Sequence, residues 1–169
     1  IPFYAVARLL RESTGVTGLD DEAARRQLRT RLPDADPQDL LLLDDLLGIA
    51  DREVPLPSID PDARRRRLTA LINTASLTDT EPTLYIIEEA HWMDTVSESM
   101  LADFLSVIAR TSSMVLITAR PEYRGTLTQV PGAQTIALAP LTDSDTAVLL
   151  EELLGSDVSV SELATIITE

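Results

Sequence analysis

Two adjacent carboxylates, Glu88 and Glu89, directly follow the short apolar run Leu84–Ile87. A continuous apolar run of this length predicts a strand that is buried on both faces, so both acids would lie at its carboxyl end. Open α/β sheets bind their ligands at that edge. One carboxylate there could hold a hydrated Mg²⁺ ion while its neighbour orients or deprotonates a water molecule. The alternative is that two glutamates simply end a strand and face solvent.

A second apolar run, Met114–Ile117, leads directly to Thr118 and, two residues later, to Arg120. Parallel strands present their carboxyl ends at one edge of a sheet, so we expect Arg120 to lie near the two acids. A guanidinium group at a strand tip could contact a transferring phosphate. It could equally form a structural ion pair with Glu88 or Glu89.

Three further residues after the acids could belong to the same strand tip. The residue types of His91 and Trp92 do not indicate a chemical role at these positions. The simplest interpretation of Trp92 is that its side chain packs under the strand tip. Asp94 is better suited to capping the next helix or anchoring the loop than to contacting a ligand. The candidate chemistry therefore rests on the two acids and on the arginine.

Hydrophobic periodicity, capping residues and helix stops predict four helices in the first eighty residues. The first is expected from about Phe3 to just before Gly15, and the second from about Asp20 to Leu32. The third is expected from Asp36 to Gly48, and the fourth from Asp60 to about Ala75. Asp36 and Asp60 are each followed by proline, which favours the first position of a helix. This half of the chain is therefore predicted to be helical.

The second half of the chain alternates strands with helices. Thr95 and Glu98 form a capping box, which predicts a helix between the two apolar strands. Farther along, the pattern predicts a weaker third strand at 135–138 and a capped helix from Thr142 to Gly155. A last helix is predicted to begin at Ser159. This alternation predicts an α/β fold with a parallel sheet.

The charge and the missing residue types exclude several classes of function. The 169 residues carry a formal net charge of -14, which disfavours direct nucleic-acid binding because phosphate backbones are also negative. All 14 basic residues are arginines, which excludes lysine Schiff bases and the lysine of a phosphate-binding loop. The absence of cysteine excludes thiolate sites, and a single histidine excludes a multi-histidine metal site. No signal peptide or long apolar span is recognisable, so we expect a cytoplasmic protein without membrane contact.

Two clusters allow a binding role as well as a structural one. The four arginines at 64–67 could form a patch for nucleic acid or anionic lipid, but consecutive helix positions point around nearly the whole circumference. Ion pairing with nearby acids such as Asp60 and Asp62 is the better interpretation. The leucine-rich segment 40–47 could dock a partner, although such a face more often belongs to the core.

Together these motifs resemble those of a known family. Residues 84–94 read four apolar residues, two acids, alanine and then His-Trp-Met-Asp, which resembles the Walker B segment of STAND-class AAA+ ATPases. These signal-transduction ATPases occur in LuxR-type regulators and in multidomain class III nucleotide cyclases of actinobacteria. Thr118-Ala119-Arg120 is similar to the family's sensor segment, and residues 136–142 resemble its next strand and the following turn. The resemblance covers residues 80 to 155 and fits the helical stretch before them.

The resemblance implies a partial P-loop NTPase fold, with a parallel sheet of about three strands, flanking helices and a helical N-terminal half. One truncated ATPase domain would comprise a helical region at 1–80, the Walker B and sensor core at 81–155 and the start of the lid at 156–169. Its cofactors would be ATP and Mg²⁺. Glu88 would hold the metal, Glu89 would activate water, and Thr118 and Arg120 would sense the γ-phosphate. Glu88 departs from the family's commoner aspartate by one methylene group.

The family's phosphate-binding loop is not found in this sequence, so the resemblance implies the middle of a longer signalling ATPase. In that parent protein, ATP would switch flanking DNA-binding or cyclase domains. The chain by itself is expected to be inactive and not to bind ATP tightly. Its open sheet edge would either mediate self-association or leave the third strand poorly paired. Two alternatives stay open, namely a degenerate, non-hydrolysing scaffold that binds partners through its helices, and a small free-standing hydrolase.

Overall fold

The computed structural model describes residues 3–155 and contains two compact units, Ile1–Gln134 and Thr135–Glu169. The helix predicted from Ser159 and the lid segment predicted at 156–169 lie outside the described residues. Among residues 3–155, none of the helices has the length and apolarity that crossing a membrane requires.

Four helices occupy the first eighty residues, as predicted. They are α1 (Tyr4–Ser13), α2 (Asp21–Arg31), α3 (Pro37–Leu46) and α4 (Pro61–Thr78). The side chains of Asp20, Asp36 and Asp60 accept hydrogen bonds from backbone N–H groups of the following turn, which explains where α2, α3 and α4 begin. Helix α4 extends past its predicted end near Ala75.

The leucine-rich segment around α3 belongs to the core rather than to a docking face. Four of its leucines are buried, namely Leu40, Leu42, Leu43 and Leu47. The same helix buries a carboxylate, since Asp44 is 1% exposed and accepts hydrogen bonds from Arg29 of α2 at 2.9 and 2.5 Å. The bond to Asp44 raises the pKa of Arg29, and the pairing makes the burial of the carboxylate tolerable.

The arginines at the start of α4 pair with acids of α3, which supports the ion-pair interpretation of this run. Arg64 pairs with Asp45, and Arg67 pairs with Asp39. These partners lie on the neighbouring helix and not at the start of α4 itself. All four side chains are partly exposed, so each pair contributes at most about 1 kcal/mol. The pairs therefore align α4 against α3 without adding much stability.

Two parallel strands form the sheet of the first unit. The strands are β1 (Leu84–Ile87) and β2 (Met114–Ile117), and helix α5 (Thr95–Ile108) lies between them in the chain. Two short 3-10 helices follow the strands, at Ala90–Trp92 and Thr126–Gln129. The strands pair in register, and their last residues, Ile87 and Ile117, lie opposite each other. Helix α5 packs against one face of the sheet, where Phe104 meets Tyr85 edge-to-face with ring centroids 5.2 Å apart. The unit is therefore α/β, as predicted.

The other face of the sheet is exposed, and this differs from the prediction of strands buried on both faces. Its four apolar side chains are 49–61% exposed: Leu84, Ile86, Met114 and Leu116. A continuous apolar run is typical of a strand covered by two layers. In the described part of the first unit, core contacts are made only on the side of Tyr85 and Ile87, so the outer side chains remain uncovered.

The second unit contains helix α6 (Asp143–Leu154) among its described residues. Thr142 caps the helix, as predicted, and it forms a capping box with Asp145. Gly155 follows the end of the helix. The predicted third strand is not formed, since the described residues 135–138 have no strand structure and Ile136 and Leu138 are 80% and 86% exposed. A strand needs a partner for its backbone groups, and the sheet of the described residues contains only β1 and β2.

Candidate functional site

The carboxyl ends of β1 and β2 lie side by side and bring the two predicted groups of residues together. The Thr118 N–H donates to the Ile87 carbonyl at 2.9 Å, and the Ala90 N–H donates to the Thr118 carbonyl at 2.9 Å. The ladder of hydrogen bonds therefore continues past the last paired residues. It holds the backbone that carries Glu88 and Glu89 beside Thr118.

Glu89 has a left-handed backbone, with φ of 56° and ψ of 44°. Its N–H donates to the Thr118 hydroxyl at 3.1 Å, and a 3-10 helix begins immediately after it. For a residue with a side chain this conformation costs roughly 1–2 kcal/mol. Such strain persists where the surrounding structure holds it, and it is concentrated at functional positions. The strained backbone therefore makes Glu89 the stronger candidate of the two acids for a functional role.

The side chains of Glu88, Glu89 and Arg120 are all exposed. Within residues 3–155, Arg120 forms no ion pair with either acid, so the structural alternative for this arginine is not observed. The Glu89 carboxylate lies 3.2 Å from His91 Nε2. The two acids and the arginine are therefore accessible to a ligand from solvent.

The strand tips provide two carboxylates rather than a complete metal cage. Among the described residues, no group of three or more His, Cys, Asp or Glu side chains could hold a metal ion. Mg²⁺ suits a pair of acids, because it keeps several waters and binds through one or two carboxylates together with substrate phosphates. Glu88 and Glu89 therefore have the residue types of such a site, which would also need a phosphate ligand.

The short 3-10 turn behind the acids carries His91 and Trp92. The His91 side chain is 14% exposed, and its ring nitrogens have no hydrogen-bond partner in the described residues, because the contact with Glu89 lacks hydrogen-bond geometry. Trp92 is 75% exposed, so its predicted packing under the strand tip is wrong. A 3-10 turn separates successive side chains by a third of a circle, so the turn that buries Ala90 directs Trp92 outward.

Asp94 caps helix α5, as predicted. Its carboxylate accepts hydrogen bonds from the Ser97 N–H at 2.9 Å and from the Ser97 hydroxyl at 2.6 Å. Burial alone would raise the pKa of Asp94, but these hydrogen bonds, together with the backbone N–H groups of Phe3 and Val96, outweigh burial and hold the pKa below its ordinary value. The predicted capping box of Thr95 and Glu98 is wrong, because the cap lies one residue earlier.

Glu98 instead anchors the loop that follows Arg120. Its Oε1 atom accepts hydrogen bonds from the Tyr123 hydroxyl at 2.6 Å, from the Thr126 N–H and from the Thr126 hydroxyl at 3.2 Å. Burial and the neighbouring Glu98 raise the pKa of Tyr123. Gly125 permits this contact, since a β-carbon there would lie 2.0 Å from Glu98 Oε1. The sequence gives little sign of this anchor, because Glu98 also fits a capping box.

We expect Glu89→Gly to raise the free energy of unfolding by roughly 0.5–1 kcal/mol, because the relief of left-handed strain exceeds the entropic cost of glycine. Glu88→Gly is the matched control and should lower the free energy of unfolding by about 0.5–1 kcal/mol. Urea denaturation followed by circular dichroism measures both variants. A Glu89→Gly variant that is less stable than the wild type would show that this side chain serves the fold.

No family model matches this chain, and no solved structure matches it. The chain is 26% identical over 70 residues to an uncharacterized protein from Rhizobium meliloti (strain 1021). The matched segment covers 41% of this chain and 7% of that relative. The chain therefore spans a small part of the relative's length, and the similarity assigns neither a family nor an activity.

Proposed function

We propose that this chain is the central part of a nucleotide-binding regulatory ATPase domain in a longer protein, with Mg²⁺–ATP bound at the carboxyl ends of β1 and β2. One observation carries the proposal, namely that Glu88, Glu89 and Arg120 are exposed at adjacent tips of two parallel strands. Open α/β sheets bind their ligands at this edge. The resemblance to STAND-class AAA+ ATPases supports a partial P-loop NTPase fold and ATP as the ligand.

The roles proposed for the individual residues follow from their charge and position. Bound Mg²⁺ would neutralise phosphate charge. Glu88 would hold the hydrated ion, and Glu89 would orient a water molecule and accept its proton. Arg120 would donate hydrogen bonds to γ-phosphate oxygens. The Thr118 hydroxyl, which accepts from the Glu89 N–H, retains its own proton to donate to the phosphate.

The phosphates of ATP need more positive charge than these strand tips supply. The chain contains no lysine, and Arg120 is the one arginine of the two tips. A glycine-rich loop with a lysine, contributed by the rest of the longer protein, would complete the phosphate site. In that protein, ATP binding and hydrolysis would switch attached DNA-binding or cyclase domains.

Equilibrium binding of ATP tests this proposal. We expect the longer protein to bind Mg²⁺–ATP, and we expect Arg120→Ala to weaken the affinity about tenfold or more, because a charge-assisted hydrogen bond is lost. Arg124→Ala is the matched control on the same loop, since Arg124 donates to the Pro121 and Tyr123 carbonyls. Its affinity should equal that of the wild type.

Isothermal titration calorimetry separates the outcomes. Equal affinities of the wild type and Arg120→Ala would remove Arg120 from the site. Failure of the longer protein to bind ATP would overturn the proposed function as a whole. Tight ATP binding by the present chain alone would contradict the need for an additional phosphate-binding loop.

A non-hydrolysing scaffold is the second candidate function. The exposed apolar face of the sheet favours it, because contiguous exposed apolar side chains mark interaction surfaces. Glu88 in place of the commoner aspartate favours it as well. The two candidates differ in whether ATP turnover occurs and depends on Glu89.

A further inference from the structure

Arg120 lies in a segment whose backbone is held on both sides. On one side, the Thr118 N–H continues the hydrogen-bond ladder of the strands and donates to the Ile87 carbonyl at 2.9 Å. On the other side, the Tyr123 N–H donates to the Arg120 carbonyl at 3.0 Å and closes a turn. The Arg120 side chain is exposed and forms no ion pair with any acid in the described part of the chain. The position of its guanidinium group therefore depends on this backbone.

Glu98 of α5 holds the far end of the turn through one carboxylate oxygen. Its Oε1 atom accepts hydrogen bonds from the Tyr123 hydroxyl at 2.6 Å and from both the N–H and the hydroxyl of Thr126. Hydrogen bonds to a carboxylate are about twice as strong as those between neutral groups. Leu127, the next residue, is 3% exposed and belongs to the core. This anchor of Glu98, Tyr123 and Thr126 therefore connects the turn at Arg120 to a helix of the core.

Gly125 provides the space in which the anchor forms. A β-carbon at this position would lie 2.0 Å from Glu98 Oε1 and 2.2 Å from the Tyr123 hydroxyl oxygen. The φ of Gly125 is -71°, which residues with side chains also adopt, so the glycine is required for space and not for its backbone conformation. Burial and the Glu98 carboxylate raise the pKa of Tyr123, so its hydroxyl remains a donor. The loop sequence is therefore adapted to this contact.

We propose that Glu98 and Tyr123 are positioning residues, which hold Arg120 where it contacts the γ-phosphate and thereby let the site distinguish ATP from ADP. The inference rests on the proposed function, in which Arg120 donates hydrogen bonds to γ-phosphate oxygens. Such hydrogen bonds depend on distance and direction, so a displaced guanidinium group loses them although it keeps its charge. ADP has no γ-phosphate, so its binding does not depend on the anchor.

The affinities for AMP-PNP and ADP test the anchor, because AMP-PNP carries a γ-phosphate group and resists hydrolysis. With Mg²⁺ present, we expect the longer protein to bind AMP-PNP more tightly than ADP. Tyr123→Phe should lower this preference about threefold or more and leave the ADP affinity unchanged, because only the hydroxyl that pairs with Glu98 is lost. Tyr85→Phe is the matched control, since it removes a tyrosine hydroxyl outside the anchor, and it should keep both wild-type affinities. Isothermal titration calorimetry measures all of them.

Two further variants show whether the anchor acts through Arg120. Gly125→Ala should also lower the preference, because its methyl group displaces Glu98 and Tyr123 while both keep their polar atoms. This variant serves if Tyr123→Phe does not fold. In a protein that already carries Arg120→Ala, Tyr123→Phe should have no further effect on the preference, because residues that act through one another are not additive.

The outcomes separate the anchor from the site itself. An undiminished preference in Tyr123→Phe, an equal loss of affinity for both nucleotides, or a further loss in the Arg120→Ala protein would overturn the inference and leave the proposed function standing. A wild-type protein that binds neither AMP-PNP nor ADP would overturn the proposed function and, with it, this role of the anchor.

Discussion

Replacing Glu89 by glutamine should lower the ATP turnover number of the longer protein at least about a hundredfold while ATP still binds. Glutamine preserves the size of the side chain but cannot accept a proton from water. The left-handed backbone at this position and its hydrogen bond to Thr118 involve main-chain atoms of residue 89, so the substitution leaves them in place. Steady-state phosphate release measures turnover, and a separate titration measures ATP affinity.

Glu88→Gln separates the roles of the two acids. Because Glu88 is proposed to hold Mg²⁺, Glu88→Gln should need a higher Mg²⁺ concentration for half-maximal turnover, whereas Glu89→Gln should keep the Mg²⁺ dependence of the wild type. Unchanged turnover in Glu89→Gln would remove this residue from the role of base. ATP binding without turnover in the wild type would instead identify a non-hydrolysing scaffold.

The second large effect concerns stability and the buried carboxylate of Asp44. Replacing Arg29 by methionine should lower the free energy of unfolding by about 3–5 kcal/mol, because it leaves a buried charge unpaired. Asp44 is 1% exposed, and Arg29 donates both of the hydrogen bonds that its side chain accepts. Methionine retains the apolar part of the arginine side chain, so the loss reports on the charge. Urea denaturation followed by circular dichroism measures the difference in the free energy of unfolding between the variant and the wild type.

Arg26→Met is the matched control on the same helix. Arg26 pairs with Glu22, but the two side chains are 65% and 76% exposed, so the expected loss is about 0.5 kcal/mol or less. The double variant Arg29→Met/Asp44→Leu should recover most of the stability, because no unpaired charge remains. Equal losses in the two single variants would contradict the assignment of Asp44 as a buried charge that depends on Arg29.

Neighbouring residues alone explain much of the local structure. Helices begin where Asp20, Asp36, Asp60 and Thr142 were expected to cap them, because a cap bonds to backbone N–H groups two or three residues away. The two apolar runs form parallel strands joined by a helix, as their alternation with helical segments indicated. The meeting of Glu88 and Glu89 with Thr118 follows from that topology, since parallel strands end at the same edge.

Tertiary structure decided the features that depend on distant partners. Glu98 was expected to cap α5 but binds Tyr123, and the arginines of α4 pair with acids of α3. These contacts produce no periodic pattern in the sequence, because each of them joins residues that are far apart along the chain.

Burial likewise depends on what lies across from a residue. Ile86 and Leu116 are exposed, Trp92 points outward and residues 135–138 form no strand, although apolar composition predicted burial or pairing for all of them. An apolar pattern indicates that a residue can be buried. Whether it is buried depends on a covering layer or a partner strand that another part of the fold supplies. The amino-acid sequence by itself thus determined the helices, the two strands and the residues at their tips. Only the tertiary structure decided which faces are covered, because burial and pairing need two surfaces to meet.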